Sequence, residues 1–186
     1  SGRCATVENA EKAADMGVDM IILTGNPGIG VENHAIIHAL TQLKKAVGDR
    51  VILTAGKMHA SGIASEAGES ILTSEDVDQF IEAGADVILL PAPGTVPGIT
   101  LEYARTLIHQ AHAKEALAMT TIGTSQEGAD EATIRQIALM CKMAGADIHH
   151  IGDSGYMGMA LPENITAYSV VIRGKRHTYR RMASSL

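Results

Sequence analysis

Short apolar segments alternate with longer amphipathic segments along the whole chain. The apolar segments begin at Met20, Val51, Val87, Leu117 and Ile148, at intervals of about thirty residues. Each is four to six residues long and rich in aliphatic side chains, as is typical of a buried strand. The segments between them carry apolar residues at helical spacing. Strict alternation of strand and helix predicts βαβ units, and therefore a parallel sheet with helices packed on it.

A short motif marks the turns that lead from a helix into a strand. An apolar residue, glycine, a second apolar residue and aspartate occur in this order at 16–19, 83–86 and 144–147, each time directly before a strand. Glycine readily ends a helix because it adopts the left-handed conformation. Residues suited to capping a helix N-terminus precede three of the helical segments: Thr6, Ser74 and Asp130. Both ends of these helices can therefore be predicted.

The constant repeat length favours a closed barrel over an open doubly wound sheet. A Gly-rich dinucleotide fingerprint with its acidic partner, which would favour the open sheet, is absent from the sequence. A complete parallel (β/α)8 TIM barrel takes about 250 residues. This chain has 186 residues and five predicted strands, and it opens with a helix that no strand precedes. We expect residues 1–186 to form a single α/β barrel domain, incomplete at the N-terminus, that holds strands 4–8.

Composition and charge restrict the setting and the partners. The chain is 46% hydrophobic with one Phe and no Trp, so its core is aliphatic. Two cysteines cannot form a disulfide framework, and no apolar run is long enough to span a membrane. The net charge of −6 argues against nucleic acid as a partner. We expect a cytoplasmic protein that is either a homo-oligomer or completed by a missing N-terminal segment.

The last predicted helix is strongly basic. It carries five of the fifteen cationic residues: Arg173, Lys175, Arg176, Arg180 and Arg181. Cations near a helix C-terminus interact favourably with the helix dipole, which is one explanation of the cluster. An anion-binding or subunit-contact tail is the other.

The loops that follow the strands are the candidate binding face. In a parallel barrel these loops open on one face, where the helix N-termini also present unpaired N–H groups. All five loops are rich in glycine and polar residues: 24–30, 55–62, 91–98, 123–128 and 152–158. The turns before the strands are shorter and carry fewer polar side chains than these loops. This asymmetry predicts one working face and one structural face.

The last two of these loops suit an anion such as phosphate or carboxylate. Glycines allow backbone N–H groups to converge, and hydroxyl groups add further donors. The candidate ligand-binding residues in these two loops are Gly123, Thr124, Ser125, Ser154 and Gly155. Asn26 and Thr95 add polar side chains in the first and third loops. Ordinary turn glycines would give a similar pattern, so both interpretations stay open.

Lys57 and His59 are the leading catalytic candidates. They follow the second strand directly, where a lysine could act as a base or form a Schiff base in its neutral form. A solvated pair of loop residues is the alternative.

Glu127 and Asp153 are the carboxylates of the matching loops, able to transfer protons or to hold a hard divalent cation. Asp153 could equally cap a turn.

Two adjacent histidines, His149 and His150, lie in the last predicted strand. Successive side chains of a strand point to opposite faces, so one of them faces the barrel interior and the other lies under a helix. The sequence does not decide which.

Taken together, these loops resemble the signatures of an uncharacterised family of bacterial TIM-barrel proteins. The matching phrases lie at 23–28, 55–62, 89–100, 122–130 and 149–155, and they cover nearly the whole chain. The resemblance implies a TIM barrel of which this chain is the C-terminal portion. Such proteins are sometimes labelled haloacid-dehalogenase-like or phosphoenolpyruvate-mutase-like. The only Asp-x-Asp spelling, Asp76 to Asp78, falls on a predicted helix, and no Glu-Asp-Lys loop is present, so neither chemistry is expected.

These observations favour a small-molecule enzyme with lyase or isomerase chemistry. It would bind a phosphorylated or carboxylated metabolite at the C-terminal face, with Lys57 or His59 moving a proton or forming an adduct. A non-catalytic metabolite sensor that uses the same face is the alternative. No cofactor is required by the sequence, although a divalent cation could bind to the loop carboxylates.

Overall fold

The computed structural model describes residues 4–25, 31–58, 68–123, 126–152 and 160–184. Within them, five strands form one sheet in sequence order, and every neighbouring pair is parallel. The strands are β1 (Met20–Thr24), β2 (Ile52–Gly56), β3 (Val87–Pro91), β4 (Leu117–Thr121) and β5 (Ile148–His150). The predicted strands, their order along the chain and their common direction are thereby confirmed.

Helices precede and follow the strands throughout the described residues. They are α1 (Val7–Asp15), α2 (Asn33–Val47), α3 (Ser74–Glu82), α4 (Leu101–Ala113), α5 (Glu131–Ala144) and α6 (Pro162–Ala183), with 3-10 turns at Gly68–Ile71 and Gln126–Gly128. Helix α6 is broken at Gly174, whose φ of 77° and ψ of 161° are not helical. The sheet therefore has the alternating connectivity that the sequence predicts.

The predicted helix caps are confirmed at two of three positions. Thr6 caps α1 and Asp130 caps α5, each through a side-chain oxygen that accepts backbone N–H bonds. The prediction of Ser74 as the cap of α3 was wrong, because Thr73 takes that place. The Thr73 hydroxyl accepts the N–H of Asp76 at 3.2 Å, and the Asp76 carboxylate accepts the N–H of Thr73 at 2.8 Å. This reciprocal pair satisfies two backbone donors, which Ser74 alone could not do.

The repeated motif before the strands has a specific structural task. Asp86 accepts the N–H of Leu53 with its carboxylate at 2.9 Å and donates its own N–H to the Leu53 carbonyl at 2.8 Å. Asp147 makes the same two bonds to Ala118, at 2.8 and 3.0 Å. Each aspartate thus lies just before one strand and binds the second residue of the preceding strand, which fixes the register of the two strands. The glycine of each motif is left-handed, as predicted.

Asp19, the third aspartate of the motif, lies at the start of the edge strand β1. Its carbonyl accepts the N–H of Ile52 at 2.9 Å, which ties it to β2. By analogy with the other two copies, its N–H and carboxylate lie at the free edge of β1. Asp19 is exposed, and no hydrogen bond joins its carboxylate to the described residues.

The two faces of the sheet are covered to different extents. The helix-facing side carries the main core, which includes Leu53, Ile88 and Leu90 packed against α2, α3 and α4. The opposite, concave face holds a smaller cluster of Val87, Leu89 and Met119, with Met20, Met58 and Ile148 packed against it. Three apolar side chains of the sheet remain exposed beyond it: Ile22 by 39%, Ile52 by 42% and Leu117 by 47%. The described residues therefore form a half-barrel with an open interior.

Replacement of Asp86 with alanine should lower the free energy of unfolding by about 1–3 kcal/mol, because a backbone N–H of β2 loses its charged acceptor. The matched substitution Asp19→Ala should change stability by less than about 0.5 kcal/mol in this chain, because no described residue depends on that carboxylate. Urea unfolding followed by circular dichroism measures both. Equal losses in the two variants would contradict the role assigned to the motif.

Candidate functional site

The C-terminal ends of the five strands lie along one rim of the half-barrel. Four of the predicted site residues are described there: Lys57, Thr95, Gly123 and Glu127. The other seven predicted site residues lie outside the described residues: Asn26, His59, Thr124, Ser125, Asp153, Ser154 and Gly155. The geometry of the rim is therefore built from the first four residues and their neighbours.

Lys57 is the one fully buried charged side chain among the described residues, with 3% of its surface exposed. It follows Gly56 at the end of β2. A Cβ placed on Gly25, at the end of β1, would lie 3.0 Å from Lys57 Cγ and 3.2 Å from Lys57 Cε. The same Cβ would lie 3.4 Å from the Cδ1 of Ile36 in α2. The absence of a side chain at Gly25 thus allows the stem of Lys57 to cross the end of β1 beside α2.

The next residue, Met58, lies on the other side of the sheet. Its sulfur is 3.4 Å from the hydroxyl of Thr121 in β4, and it packs in the concave cluster with Leu89. A Cβ placed on Gly123 would lie 3.0 Å from Met58 Cβ, so a side chain there would push Met58 away. Gly123 was predicted to contact an anion through its backbone; the structure gives it a packing task as well. Met58 therefore connects the ends of β2 and β4 across the concave face.

Glu127 lies in the 3-10 turn that follows β4. A Cβ placed on Gly152, just after β5, would lie 3.1 Å from Glu127 Cβ. The φ of Gly152, +91°, is a second reason for glycine at this position. The Oε2 atom of Glu127 is buried and has no hydrogen-bond partner among the described residues. Asn164 of α6 is itself buried and donates from Nδ2 to the carbonyls of Glu127 and Ala129, both at 2.9 Å. The first turn of α6 therefore holds the loop that carries Glu127.

Thr95 is buried in the loop that follows β3. Its hydroxyl donates to the Ala92 carbonyl at 2.7 Å, so its hydrogen is engaged within its own loop. The loop lines an open groove of about 620 Å³ together with Gln126 and Met140. Thr95 therefore forms part of the wall of this groove.

The structure decides the orientation of the two adjacent histidines. The register pairs Thr120 with His149 and Thr121 with His150. His150 lies on the concave face, where its Nδ1 is 3.0 Å from the Thr121 hydroxyl and accepts the N–H of Gly152 at 3.1 Å. His149 lies under α6, with its ring 5.5 Å from that of Tyr168. His150 is thus the histidine that faces the concave side of the rim, a choice between His149 and His150 that the sequence left open.

The residues around His149 form a buried polar cluster between the sheet and the last two helices. Burial lowers the pKa of His149; the nearby carboxylate of Asp147 opposes this effect, and Arg173 adds to it. Burial, reinforced by Cys141, raises the pKa of Tyr168. Burial also raises the pKa of the Cys141 thiol, which keeps it protonated and unreactive. These groups are suited to packing rather than to catalysis.

Neither a metal centre nor a membrane span is found in the part of the chain that the structure describes. No group of three or more His, Cys, Asp or Glu side chains is arranged there to hold a metal ion. None of the described helices combines the length and the apolar character that crossing a membrane requires.

The fold and its polar rim define an α/β protein built as a half-barrel of parallel βα units. The whole chain, residues 1–186, matches the family model described as a domain of unknown function, DUF7916, and the chain belongs to that family. No curated protein matches the sequence.

Several solved structures share the fold at low sequence identity. The chain is similar to the tetrameric deoxyribose phosphate aldolase from Aeropyrum pernix, with a TM-score of 0.65 and 16% identity over 93% of this chain and 68% of that one. A putative deoxyribose-phosphate aldolase from Coccidioides immitis gives a TM-score of 0.62 and 16% identity over 89% of this chain and 60% of that one. An archaeal fructose 1,6-bisphosphate aldolase gives 0.65 and 17% over 88% of this chain and 62% of that one. The chain thus spans less than two thirds of the length of the last two, and the likeness shows the fold.

Replacement of Asn164 with alanine should lower the free energy of unfolding by about 2 kcal/mol or more, because two carbonyl groups lose their donor in a buried position. Asn9→Ala is the matched control, since Asn9 makes an exposed bond to the Cys4 carbonyl at 2.9 Å. Thermal and urea unfolding of both variants provide the comparison. If Asn164→Ala were no more destabilised than Asn9→Ala, α6 would not hold the Glu127 loop in the way described.

Proposed function

We propose that this chain belongs to a lyase-type enzyme that binds a small phosphorylated or carboxylated metabolite at the C-terminal rim. In this proposal the neutral amine of Lys57 attacks the carbonyl carbon of the metabolite and forms an imine with release of water. His59, Glu127 and Asp153 are the candidates for moving protons at the same rim.

The burial of Lys57 is the observation that carries the proposal. Lysine is rarely buried in globular proteins, so a buried lysine at the end of a parallel strand points to a specific role. The amine of a lysine is also the group that forms an imine with a carbonyl compound. Lys57 combines this burial with a position at the end of a parallel strand, next to the loops that gather at the rim.

The position of the rim supports a small anionic ligand. Helices α2, α4 and α5 begin at the edge of the sheet where the strands end, and their first N–H groups favour negative charge there. The buried Oε2 of Glu127 has no partner among the described residues, which suits a group that receives a proton or a ligand hydroxyl. The fold is similar to that of a deoxyribose phosphate aldolase and a fructose 1,6-bisphosphate aldolase, and this substrate class agrees with their phosphorylated substrates.

We also propose that the five units are strands 4–8 of a (β/α)8 barrel. The free edge of β1 presents the N–H and carboxylate of Asp19, and the concave face leaves Ile22 and Ile52 exposed. Three further βα units would cover both. A homo-oligomer could also cover these edges, and one of the similar aldolases is tetrameric.

The proposal is tested by reductive trapping of the imine. The protein is incubated separately with pyruvate and with dihydroxyacetone phosphate, each in the presence of borohydride, and is then digested and analysed by mass spectrometry. We expect an adduct on the peptide that contains Lys57, and we expect Lys57→Met to abolish it. Lys45→Met is the matched control, because Lys45 is an exposed lysine of the last turn of α2.

Two outcomes would contradict the proposal. One is the absence of an adduct in the wild-type protein with both compounds. The other is labelling spread evenly over the exposed lysines and unchanged in Lys57→Met. Lys57→Met could also be destabilised by the loss of its amine, so thermal unfolding of each variant is measured in parallel.

A non-catalytic metabolite sensor is a second candidate function, and the basic end of α6 favours it. In the described part of the chain five cations of this segment are exposed and make no ion pair: Arg173, Lys175, Arg176, Arg180 and Arg181. Such a segment could contact a partner while the rim binds the metabolite. Binding of a trial compound without adduct or turnover would favour the sensor.

A further inference from the structure

His150 occupies a position on the concave face that three strands help to fix. It is the last residue of β5, and its Nδ1 lies 3.0 Å from the hydroxyl of Thr121 in β4. The same hydroxyl lies 3.4 Å from the sulfur of Met58, which follows β2. The half-buried ring therefore contacts the end of β4 directly, and Thr121 links it to the residue that follows the end of β2.

The hydrogen bond from Gly152 determines which ring nitrogen carries the hydrogen. A backbone N–H can only donate, so the Nδ1 atom that it contacts at 3.1 Å must accept. In the neutral imidazole the hydrogen then lies on Nε2. Gly152 itself has a left-handed φ of +91°. Any Cβ at this position would lie 2.7 Å from the Ile122 carbonyl, so the turn requires glycine.

The Nε2–H of His150 has no hydrogen-bond partner among the described residues of the rim. Both contacts of the ring with the described residues are made by Nδ1, and none by Nε2. The ring tautomer makes Nε2 a hydrogen-bond donor in the neutral state and not a base. His149, its neighbour, is directed to the opposite side of the sheet and packs against Tyr168.

We propose that His150 binds the metabolite by donating the Nε2–H to one of its carbonyl, carboxylate or phosphate oxygens. This assignment rests on the proposed function of the rim. It adds a ligand-contacting residue that the sequence alone could not choose from His149 and His150. No proton is transferred in this step: the hydrogen stays on Nε2, and the ligand oxygen accepts it. His150 is thus a binding residue, and the proton transfers belong to other groups.

The tautomer is tested first, in the free protein. Long-range proton–nitrogen correlation spectra of the 15N-labelled chain distinguish the two neutral forms of each histidine, and the spectrum of His150→Gln identifies the signals of His150. We expect the hydrogen on Nε2. A neutral His150 with its hydrogen on Nδ1 would overturn the assignment, whatever the function of the rim.

Ligand contact is tested next by titration with pyruvate, dihydroxyacetone phosphate and inorganic phosphate. We expect at least one probe to shift the Nε2 signal of His150, and His150→Phe to weaken its binding about tenfold, as the loss of one hydrogen bond to a ligand does. His150→Gln, which keeps an N–H donor, should recover part of that loss. His109→Gln removes an exposed histidine of α4 and should leave the affinity unchanged.

The outcomes separate this inference from the proposed function. A probe that forms the adduct on Lys57 but leaves the His150 signal and the affinity of His150→Phe unchanged would overturn the role of His150 alone. Binding of no probe, together with no adduct on Lys57, would remove the proposed function and this assignment with it. Retention of the fold in His150→Phe is checked from its thermal unfolding.

Discussion

The parallel hydrogen-bond ladder is the constraint on which the rest of this structure depends. Because all five strands run in one direction, their C-terminal ends and the loops that follow them meet at one rim. Asp86 and Asp147 fix the register at the opposite ends, each by two bonds to a neighbouring strand. Side chains then alternate between the helix-facing side and the concave side. A slip of β5 by one residue would exchange His149 and His150, and with them the groups that a ligand could meet.

The rim has two sides with different chemistry. The stem of Lys57 crosses the end of β1 on the side of α2, whereas Met58 and His150 lie on the concave side with Thr121. The two sides meet directly after the last residue of β2, where the consecutive residues Lys57 and Met58 lie on opposite sides of the sheet. Glu127 is held at the other end of the rim by the amide of Asn164. Each of these groups is positioned by a residue from a different element, as a binding site formed at the ends of several strands requires.

Local sequence signals were sufficient for much of the fold and for little of the site. Periodicity and turn glycines predicted the strands and their direction, since these depend on neighbouring residues. The side chain that caps α3 was missed because Thr73 and Asp76 act as a reciprocal pair. The orientation of His150 depends on register with another strand, and the direction of Lys57 depends on the missing side chain of Gly25. The task of Asn164 is a long-range bond to backbone carbonyls, which leaves no pattern in the sequence.

The convergence of the strand ends at one rim can be measured directly. Nuclear Overhauser contacts of the Met58 methyl group report whether the end of β2 lies beside the end of β4. We expect contacts from this methyl group to the protons of Thr121 in β4 and to Leu89 on the intervening strand β3. Contacts only to residues at the starts of the strands, such as Leu117, would contradict a common direction and would separate the groups assigned to the rim.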